Sequence, residues 1–422
     1  MNNHRLQTIG IPLSLVIAAL LNPAQAAVNI QCPGDINDGV MNAVPAAGPN
    51  YDPKVKCKHL GAGDGFITMA DSSEMYILGF SDLTGVSQDK AAHHGLLAAT
   101  STAPTIELNE GDKFYLSLTN VGMLKRPDLF DPHSVHFHGF PNAASVFDGE
   151  PEASATIGMG STLTYFYDIK EPGTYMYHCH VEASEHMQMG MLGNLFVHPA
   201  QDGTAFGGFN KFAYNDTDGS TGYDVEVPIQ IGSFDSVFHA EHIAIQPLPF
   251  ADMKDDYAVL NGRGYPDSAD NVNAPAVPAE VAALHNDPGD GNPNDDIATT
   301  QPLSSKITAT AGQRVLLRIS NLNVTRNYTL AAMGLTMKVV GRDARILRAM
   351  DVNDPLQSLT ATGTDLYYET NSVTLGSGET ADVLIDTTGV APGTYFIYTT
   401  NLNYLSNGPE DFGGMMTELV IS

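Results

Sequence analysis

The feature that most restricts the fold is an internal repeat of strand-like segments. Residues 106–120 (IELNEGDKFYLSLTN) return as residues 307–321 (ITATAGQRVLLRISN), each with alternating apolar residues on both sides of a glycine. The tetrapeptide Pro-Gly-Thr-Tyr at 172–175 likewise returns at 392–395, between two further alternating runs. Such runs, bounded by glycine turns, are typical of β-strands. The repeat therefore predicts two β domains of one type, with strands at the spacing of a Greek-key sandwich.

A chain of 422 residues has room for two such domains. We place the first at residues 61–200 and the second at 252–422, preceded by an N-terminal extension at 27–60. Residues 201–251 are interpreted as a linker packed on the sandwiches, with one strand-like run. The 20 Lys and Arg against 48 Asp and Glu give a net charge of −28, which repels nucleic acid and attracts cations. We therefore expect no nucleic-acid partner.

The first residues have the pattern of an export signal. Arg5 and an apolar run at 9–21 precede residues 24–26 (AQA), the small-x-small pattern of a signal-peptidase site. The run is too short to cross a membrane, and no later segment reaches 18 apolar residues. We therefore expect residues 1–26 to be removed and the protein to be periplasmic or secreted, with no membrane span.

Three cysteines are present, at positions 32, 57 and 179. In an oxidising compartment cysteines tend to pair, so we expect a disulfide between Cys32 and Cys57 in the N-terminal extension. Cys179 is then a free thiol. An exported protein keeps a free thiol only where it is deeply buried or holds a metal.

Six of the fourteen histidines fall in two short clusters. They are His133, His136 and His138 in the first cluster, and His178, His180 and His186 around Cys179 in the second. Residues two apart on a strand share a face, so His136 pairs with His138, and His178 pairs with His180. Cys179 points to the opposite face. One hairpin could therefore present two metal sites back to back.

On the cysteine face, the expected ligands are Cys179, His133 from the neighbouring strand, His186 from the following loop and Met191. Two imidazoles, a thiolate and a weak axial thioether are the ligand set of a blue copper centre. Met187 and Met189 share a strand face with Met191, and we interpret both as side chains that fill space beside the metal loop.

On the other face, the all-imidazole set of His136, His138, His178 and His180 suits one or more further coppers, or zinc. Two more histidines, His239 and His242, lie in the linker. We interpret them as part of a solvated linker face rather than as ligands.

These motifs resemble those of the superfamily of multicopper oxidases and copper nitrite reductases. The likeness rests on His-x-x-His-x-His-Gly at 133–139 and on His-Cys-His followed by His-x-x-x-x-Met at 178–191. Segments 261–267 (NGRGYPD) and 414–418 (GMMTE) extend it over nearly the whole chain. The resemblance implies two cupredoxin-like Greek-key β-sandwich domains in tandem.

In this superfamily a blue (type 1) copper takes single electrons from a reductant, and an imidazole-rich copper site then reduces O₂ or nitrite. Carried over by motif, the blue copper binds to His133, Cys179, His186 and Met191. The catalytic residues are then His136, His138, His178 and His180. Two features resemble the oxidase branch more than the nitrite reductases. Cys179 has a histidine on both sides, and His136 stands where nitrite reductases have an acidic residue.

The second domain departs from the family pattern. Aligning the repeats places Tyr328, Ala331 and Met333 opposite His133, His136 and His138, and Tyr398, Thr399 and Thr400 opposite His178, Cys179 and His180. A trinuclear copper site in the family uses eight histidines, four from each of two domains. The four present here could hold a single copper, be completed by an unrelated partner chain, or recruit His239 and His242. Two-domain relatives commonly form homotrimers, which the resemblance implies here too.

The sequence thus predicts a copper-dependent oxidoreductase of multicopper oxidase type that reduces O₂. The acidic surface favours cationic reductants such as Cu(I), Fe(II) or Mn(II), and phenols stay open. One alternative is a nitrite reductase-like enzyme with a mononuclear type 2 copper. Another is a non-catalytic blue-copper protein that only transfers electrons.

Overall fold

The computed structural model describes residues 29–36, 39–43, 45, 51–140, 143–286, 296–349, 363–408 and 410–422. The predicted signal segment lies outside the described residues. Within them, no helix has both the length and the apolar character needed to cross a membrane. Four β-sheets form the molecule, arranged as two sandwiches, so the predicted all-β class is confirmed.

The first sandwich consists of two four-stranded sheets. One contains β1 (Val55–Thr68), β2 (Glu74–Asp82), β4 (Lys113–Gly122) and β6 (Thr162–Asp168). The other contains β3 (Ala103–Asn109), β5 (His136–His138), β7 (Gly173–His178) and β8 (Leu192–His198). The strand orders are β2-β1-β4-β6 and β3-β8-β7-β5. The large apolar core between the sheets includes Phe80, Phe114 and Tyr177, and it also contains the Cys179 side chain.

The second sandwich has sheets of seven and five strands. The larger contains β9 (Val225–Phe234), β10 (Tyr257–Leu260), β12 (Arg314–Asn321), β14 (Met337–Arg342), β15 (Arg345–Ile346), β16 (Tyr368–Thr370) and β18 (Glu379–Asp386). The smaller contains β11 (Ile307–Ala309), β13 (Tyr328–Ala332), β17 (Ser372–Leu375), β19 (Gly393–Thr399) and β20 (Met416–Ile421). Strand β9 comes from residues assigned to the linker, and it pairs in parallel with β12 and antiparallel with β10.

The sequence repeat corresponds to equivalent strands. Segments 106–120 and 307–321 form β3–β4 and β11–β12, and each turns at a glycine with positive φ, +85° at Gly111 and +93° at Gly312. Such a φ strains other residues. Strands β5 and β7 of the first sandwich pair His136 with His178. The equivalent strands β13 and β19 of the second sandwich pair Ala331 with Tyr398. The strand registers therefore agree with the alignment of the repeats.

Besides four 3₁₀ turns, four short α-helices complete the described structure. They are α1 (Ala91–Gly95), α2 (Ala183–Met189), α3 (Ser236–Ile243) and α4 (Ala279–His285). Helix α2 connects β7 to β8, and α3 lies in the segment between the sandwiches. The side chain of Asp235 caps α3 by accepting hydrogen bonds from the amides of Val237 and Phe238.

Two further contacts fix the position of the parts. A disulfide joins Cys32 to Cys57 and so attaches the N-terminal extension to β1. Arg318 on β12 is fully buried between Glu226 and Asp382, and Thr174 of the first sandwich donates a 2.5 Å hydrogen bond to Asp382. Removing one partner of a buried ion pair typically costs about 3–5 kcal/mol. This network therefore holds the second sandwich against β7.

Candidate metal centre

The structure brings His133, Cys179 and His186 together in the core of the first sandwich. The Cys179 sulfur lies 3.1 Å from Nδ1 of His186 and 3.9 Å from Nδ1 of His133. All three side chains are buried, and their ligand atoms lie within 4.8 Å of one another. Because both imidazoles direct the same nitrogen at the sulfur, the three residues outline one small site.

The backbone fixes Met191 beside this site. The amide of Met191 donates to the His186 carbonyl over 2.8 Å, and the amide of Cys179 donates to the Met191 carbonyl over 3.2 Å. The Met191 side chain is fully buried in the same core. The loop from Cys179 to Met191 therefore closes on itself, and the methionine lies next to two of the three residues above.

The electrostatics of this site favour a thiolate. Burial opposes ionisation of Cys179, but His186 and His133 lower the pKa of the thiol to about 5. Burial likewise opposes protonation of His186, whereas Cys179 and Asp131 raise its pKa well above the usual value. A sulfur that is ionised at neutral pH is ready to bind a soft metal.

Two hydrogen bonds orient the ligand atoms. Nε2 of His186 lies 2.9 Å from a carboxylate oxygen of Asp131. The carboxylate accepts a hydrogen bond from Nε2–H, so Nδ1 is the nitrogen that faces the sulfur and that can bind a metal once its proton has left. The amide of Ser134 donates to the Cys179 sulfur over 3.5 Å. Contacts of this kind tune blue-copper centres.

His186 lies on helix α2, where the sequence analysis expected a loop. Its residues, Ala-Ser-Glu-His-Met-Gln-Met, are mostly good helix formers, and Gly190 ends the helix with a φ of +114°. The prediction that Met187 and Met189 share a strand face with Met191 is therefore wrong, because two of the three methionines are helical. Met187 instead packs with Met176.

The histidines of the linker support this helix. His242 Nε2 bonds the Glu185 carboxylate over 3.0 Å, and His239 Nε2 bonds the Gln188 carbonyl over 3.0 Å. Both rings are about 1% exposed, so their interpretation as a solvated linker face is wrong. The sequence interpretation of a linker did not include α3, a helix that lies between the metal loop and β2. Both bond to α2, so neither joins the other histidine cluster.

The second histidine cluster forms on the other side of Cys179. The rings of His136, His138, His178 and His180 are neighbours, with centroids 5.0–5.9 Å apart. The predicted division of the hairpin into a sulfur face and an imidazole face therefore agrees with the side-chain positions.

Two of these rings have a defined tautomer. Nδ1 of His178 lies 2.8 Å from the Cys179 carbonyl, and Nδ1 of His136 lies 2.7 Å from the Asp148 carbonyl. A carbonyl only accepts, so each Nδ1 carries the proton and each Nε2 keeps its lone pair. Burial lowers the pKa of His136, His138 and His178, to about 3 for His178. Neutral imidazoles with a free nitrogen are what metal binding needs.

This cluster is more open than the cysteine site. In the described residues, the sets of three or more ligand atoms within 4.8 Å involve Cys179 or Asp131, and the four-histidine cluster is not among them. The second sandwich lies against it through Gly378, where a Cβ would come within 2.8 Å of the His138 ring. The one histidine at 252–422 is His285, which instead bonds the Leu96 carbonyl.

Sequence reasoning missed several residues beside these sites. Asp131, Glu182 and His186 form a second group whose ligand atoms lie within 4.8 Å. Asp148 orients His136, and Gly378 covers His138. An acidic residue two positions before the first cluster histidine was visible, but 48 carboxylates gave no basis for choosing it.

The donor sets fit copper. A thiolate with two imidazoles and a nearby thioether suits a blue copper, and neutral imidazoles suit further copper ions. The second set is the less complete, because its four rings come from one domain and do not converge as closely as the cysteine set.

Several known proteins are similar in sequence to this chain. Two family models, both described as multicopper oxidase, match residues 87–202 and 253–420. The multicopper oxidase MmcO of Mycobacterium tuberculosis is 39% identical over 82 residues, which are 19% of this chain and 15% of that protein. The iron transport multicopper oxidase fetC of Epichloe festucae is 36% identical over 97 residues, 22% of this chain and 14% of that protein.

Among solved structures, a blue copper oxidase from Nitrosomonas europaea is similar in fold. The TM-score is 0.58 at 19% identity, and the alignment covers 86% of this chain and 85% of that one. The tandem cupredoxin-like architecture, which the repeat predicted as two β-sandwiches and the family resemblance as cupredoxin-like, is thereby confirmed. The aligned segments are about one seventh of the length of the two curated relatives.

Proposed function

The chain belongs to the multicopper oxidase family, and we propose that it is a copper-dependent oxidoreductase. The observation that carries this proposal is the buried trio of His133, Cys179 and His186, with both Nδ1 atoms directed at an ionisable sulfur. In the proposal these three residues and Met191 bind a blue copper. Copper bound there would supply one-electron redox chemistry.

The residues around this site have separate tasks. Asp131 holds the proton on Nε2 of His186 and so keeps Nδ1 available. The amide of Ser134 reduces the electron density on the Cys179 sulfur by donating to it. The core of the sandwich excludes water from the sulfur, whose residue has no exposed surface.

The chain itself offers a short route between the two sites. Cys179 is covalently linked to His178 and His180, and the Cys179 carbonyl accepts a hydrogen bond from the His178 ring. In the proposal, electrons that enter at the cysteine site leave by these links toward His136, His138, His178 and His180. These four histidines would hold the copper at which O₂ is reduced.

The carboxylates around His186 favour a cationic reductant. Asp131 and Glu182 lie beside it, and Glu185 is one residue away on α2. Together with the net charge of −28, these carboxylates raise the local concentration of cations. Fe(II), Mn(II) and Cu(I) are the reductants that this electrostatic argument favours.

The openness of the four-histidine cluster supports a role for a second copy. Residues 252–422 bring no histidine to the cluster, and the same residues of a second copy would bring none either, so the second copy would cover the four histidines rather than add ligands to them. We propose a homotrimer, since a head-to-tail contact between copies closes into a ring. Export to the periplasm or the medium belongs to the same proposal and agrees with the disulfide.

Copper analysis combined with gas exchange tests this function. The copper-loaded protein is reduced without air and then exposed to O₂, while copper per chain, electron paramagnetic resonance and O₂ uptake are recorded. We expect more than one copper per chain and rapid reoxidation with O₂ consumption. Nitrite turnover without O₂ uptake would instead support the reductase alternative, and slow reoxidation would support a carrier.

A further inference from the structure

The second sandwich contains a cavity at the position where the first sandwich has its cysteine site. The cavity has a volume of about 320 Å³ and lies at the ends of β13 and β19. Its lining includes Arg326, Tyr328, Thr399, Thr400, Asn401 and Tyr404. In the alignment of the repeats, Tyr328 and Thr399 stand opposite His133 and Cys179. The second domain therefore has a cavity at the position where the first domain has metal ligands.

The side chains that line the cavity can donate hydrogen bonds to a ligand. The side chains are mostly hydroxyl and amide groups with one guanidinium, and none of those that line the described cavity is a carboxylate. Thr399 is buried on its floor, and the turn Leu402–Tyr404 closes one side. In a chain with 48 Asp and Glu, a cavity without carboxylates is unusual. Arg326 is the one charged residue in the described lining, and the carboxylate in contact with this lining is the buried Asp255, which accepts a hydrogen bond from Thr325.

Arg326 distinguishes this cavity from ordinary polar surface. Its guanidinium carbon lies 5.4 Å from the centroid of the Tyr404 ring, and its Nε is buried without a hydrogen-bond partner. The other described arginines donate to carboxylates, carbonyls or hydroxyls, as Arg126 and Arg342 illustrate, although one nitrogen of Arg318 is also buried without a partner. A buried N–H of a cation without an acceptor costs free energy, which a bound acceptor would recover.

We propose that this cavity binds a small oxyanion, a carboxylate or phosphate group, with Arg326 as its charged anchor. The planar guanidinium matches such an anion in geometry, and it stays charged at all relevant pH values. The hydroxyl of Thr400 and the amide of Asn401 are the neutral donors beside it. The proposal does not depend on the proposed function, because it uses no residue of either histidine cluster.

Calorimetry with defined probes tests this site. The copper-loaded full protein is titrated separately with inorganic phosphate, malonate and uncharged malonamide. We expect saturable binding of phosphate or malonate and no binding of malonamide. Whichever of the two anions binds more tightly indicates whether the natural ligand carries a phosphate or a carboxylate group. Arg326→Gln should weaken binding by about tenfold or more, since hydrogen bonds to charged groups contribute about 1.5–3 kcal/mol.

Arg314→Gln is the matched control. Arg314 also stacks on an aromatic ring, at 4.5 Å from Phe209, but it is paired with Asp386. This variant should bind as the wild type does. If Arg326→Gln fails to fold, Arg326→Lys serves instead, because it keeps the charge and loses the planar donors, and it should bind more weakly. No saturable heat up to about 10 mM probe, or equal affinity in the wild type and the Arg326 variant, would overturn the proposal.

Discussion

Replacing Gly378 with alanine tests whether the second sandwich shapes the four-histidine cluster. Gly378 lies in the turn between β17 and β18 with a φ of +81°, and a Cβ there would come 2.8 Å from Cε1 of His138. Ordinary contact begins at 3.4 Å, so the His138 ring must withdraw by about 0.6 Å, the difference between these two distances. Metal ligands tolerate deviations of about 0.2 Å.

Gly389→Ala separates this effect from backbone strain. Gly389 has a nearly equal φ of +77°, but a Cβ there would meet nothing within 4 Å. Left-handed backbone costs a non-glycine residue about 1–2 kcal/mol, so both variants should lose that much unfolding free energy. Only the variant at Gly378 should lose turnover, by about tenfold or more, because displacements near 1 Å cost about a hundredfold.

The assay combines three readouts on both variants. Urea unfolding gives the stability, visible absorption reports the cysteine site, and O₂ uptake with Fe(II) as reductant reports turnover. We expect both variants to stay blue and only Gly378→Ala to turn over slowly. Equal turnover in the two variants would refute the assignment of His138 to the reacting site.

Three further predictions concern the cysteine site and the N-terminal extension. Asp131→Asn should raise the reduction potential by about 60–130 mV, because a charge-assisted hydrogen bond contributes about 1.5–3 kcal/mol and 59 mV corresponds to a tenfold change in a one-electron equilibrium. The control is Asp128→Asn, at an exposed position. Equal potentials for the Asp131 variant and the wild type in voltammetry would contradict the effect. Met191→Leu should keep the blue colour and change the potential, whereas loss of colour would show that the thioether holds the metal. The double variant Cys32→Ser and Cys57→Ser should lose about 3 kcal/mol in urea unfolding, and an unchanged midpoint would contradict the stabilising role of the disulfide.

The general fold was predictable because it rests on periodic patterns. The repeated pattern of a strand, a glycine turn and a second strand predicted two sandwiches. The glycines marked the turns because Gly111 and Gly312 have the positive φ that these turns require. The opposite faces of Cys179 and its neighbours followed from the two-residue period of a strand. Both inferences depend on local geometry, which a sequence contains.

The missed features depend on tertiary contacts. The seven residues of α2 are too few to form a stable isolated helix, so it is fixed by packing against β2 and β9 and by the hydrogen bonds of His239 and His242. The burial of His239 and His242 has the same origin. Asp131 could not be selected among 48 carboxylates, because its role depends on a ring 55 positions along the chain.

The position of the second sandwich also required the structure. No local pattern relates Gly378 to His138, since the contact joins a turn of one sandwich to a strand of the other. The sequence correctly indicated that ligands are absent from the second domain. It did not indicate that a polar cavity occupies their place.

Visible absorption of the copper-loaded Cys179→Ser variant tests the central claim most directly. The intense visible absorption that gives a blue copper centre its colour requires a thiolate ligand, so the serine variant should be colourless while the wild type is blue. The copper content of the four-histidine cluster, measured on the same samples, should be retained. A serine variant that stays blue would contradict the assignment of His133, Cys179 and His186 as the blue copper site.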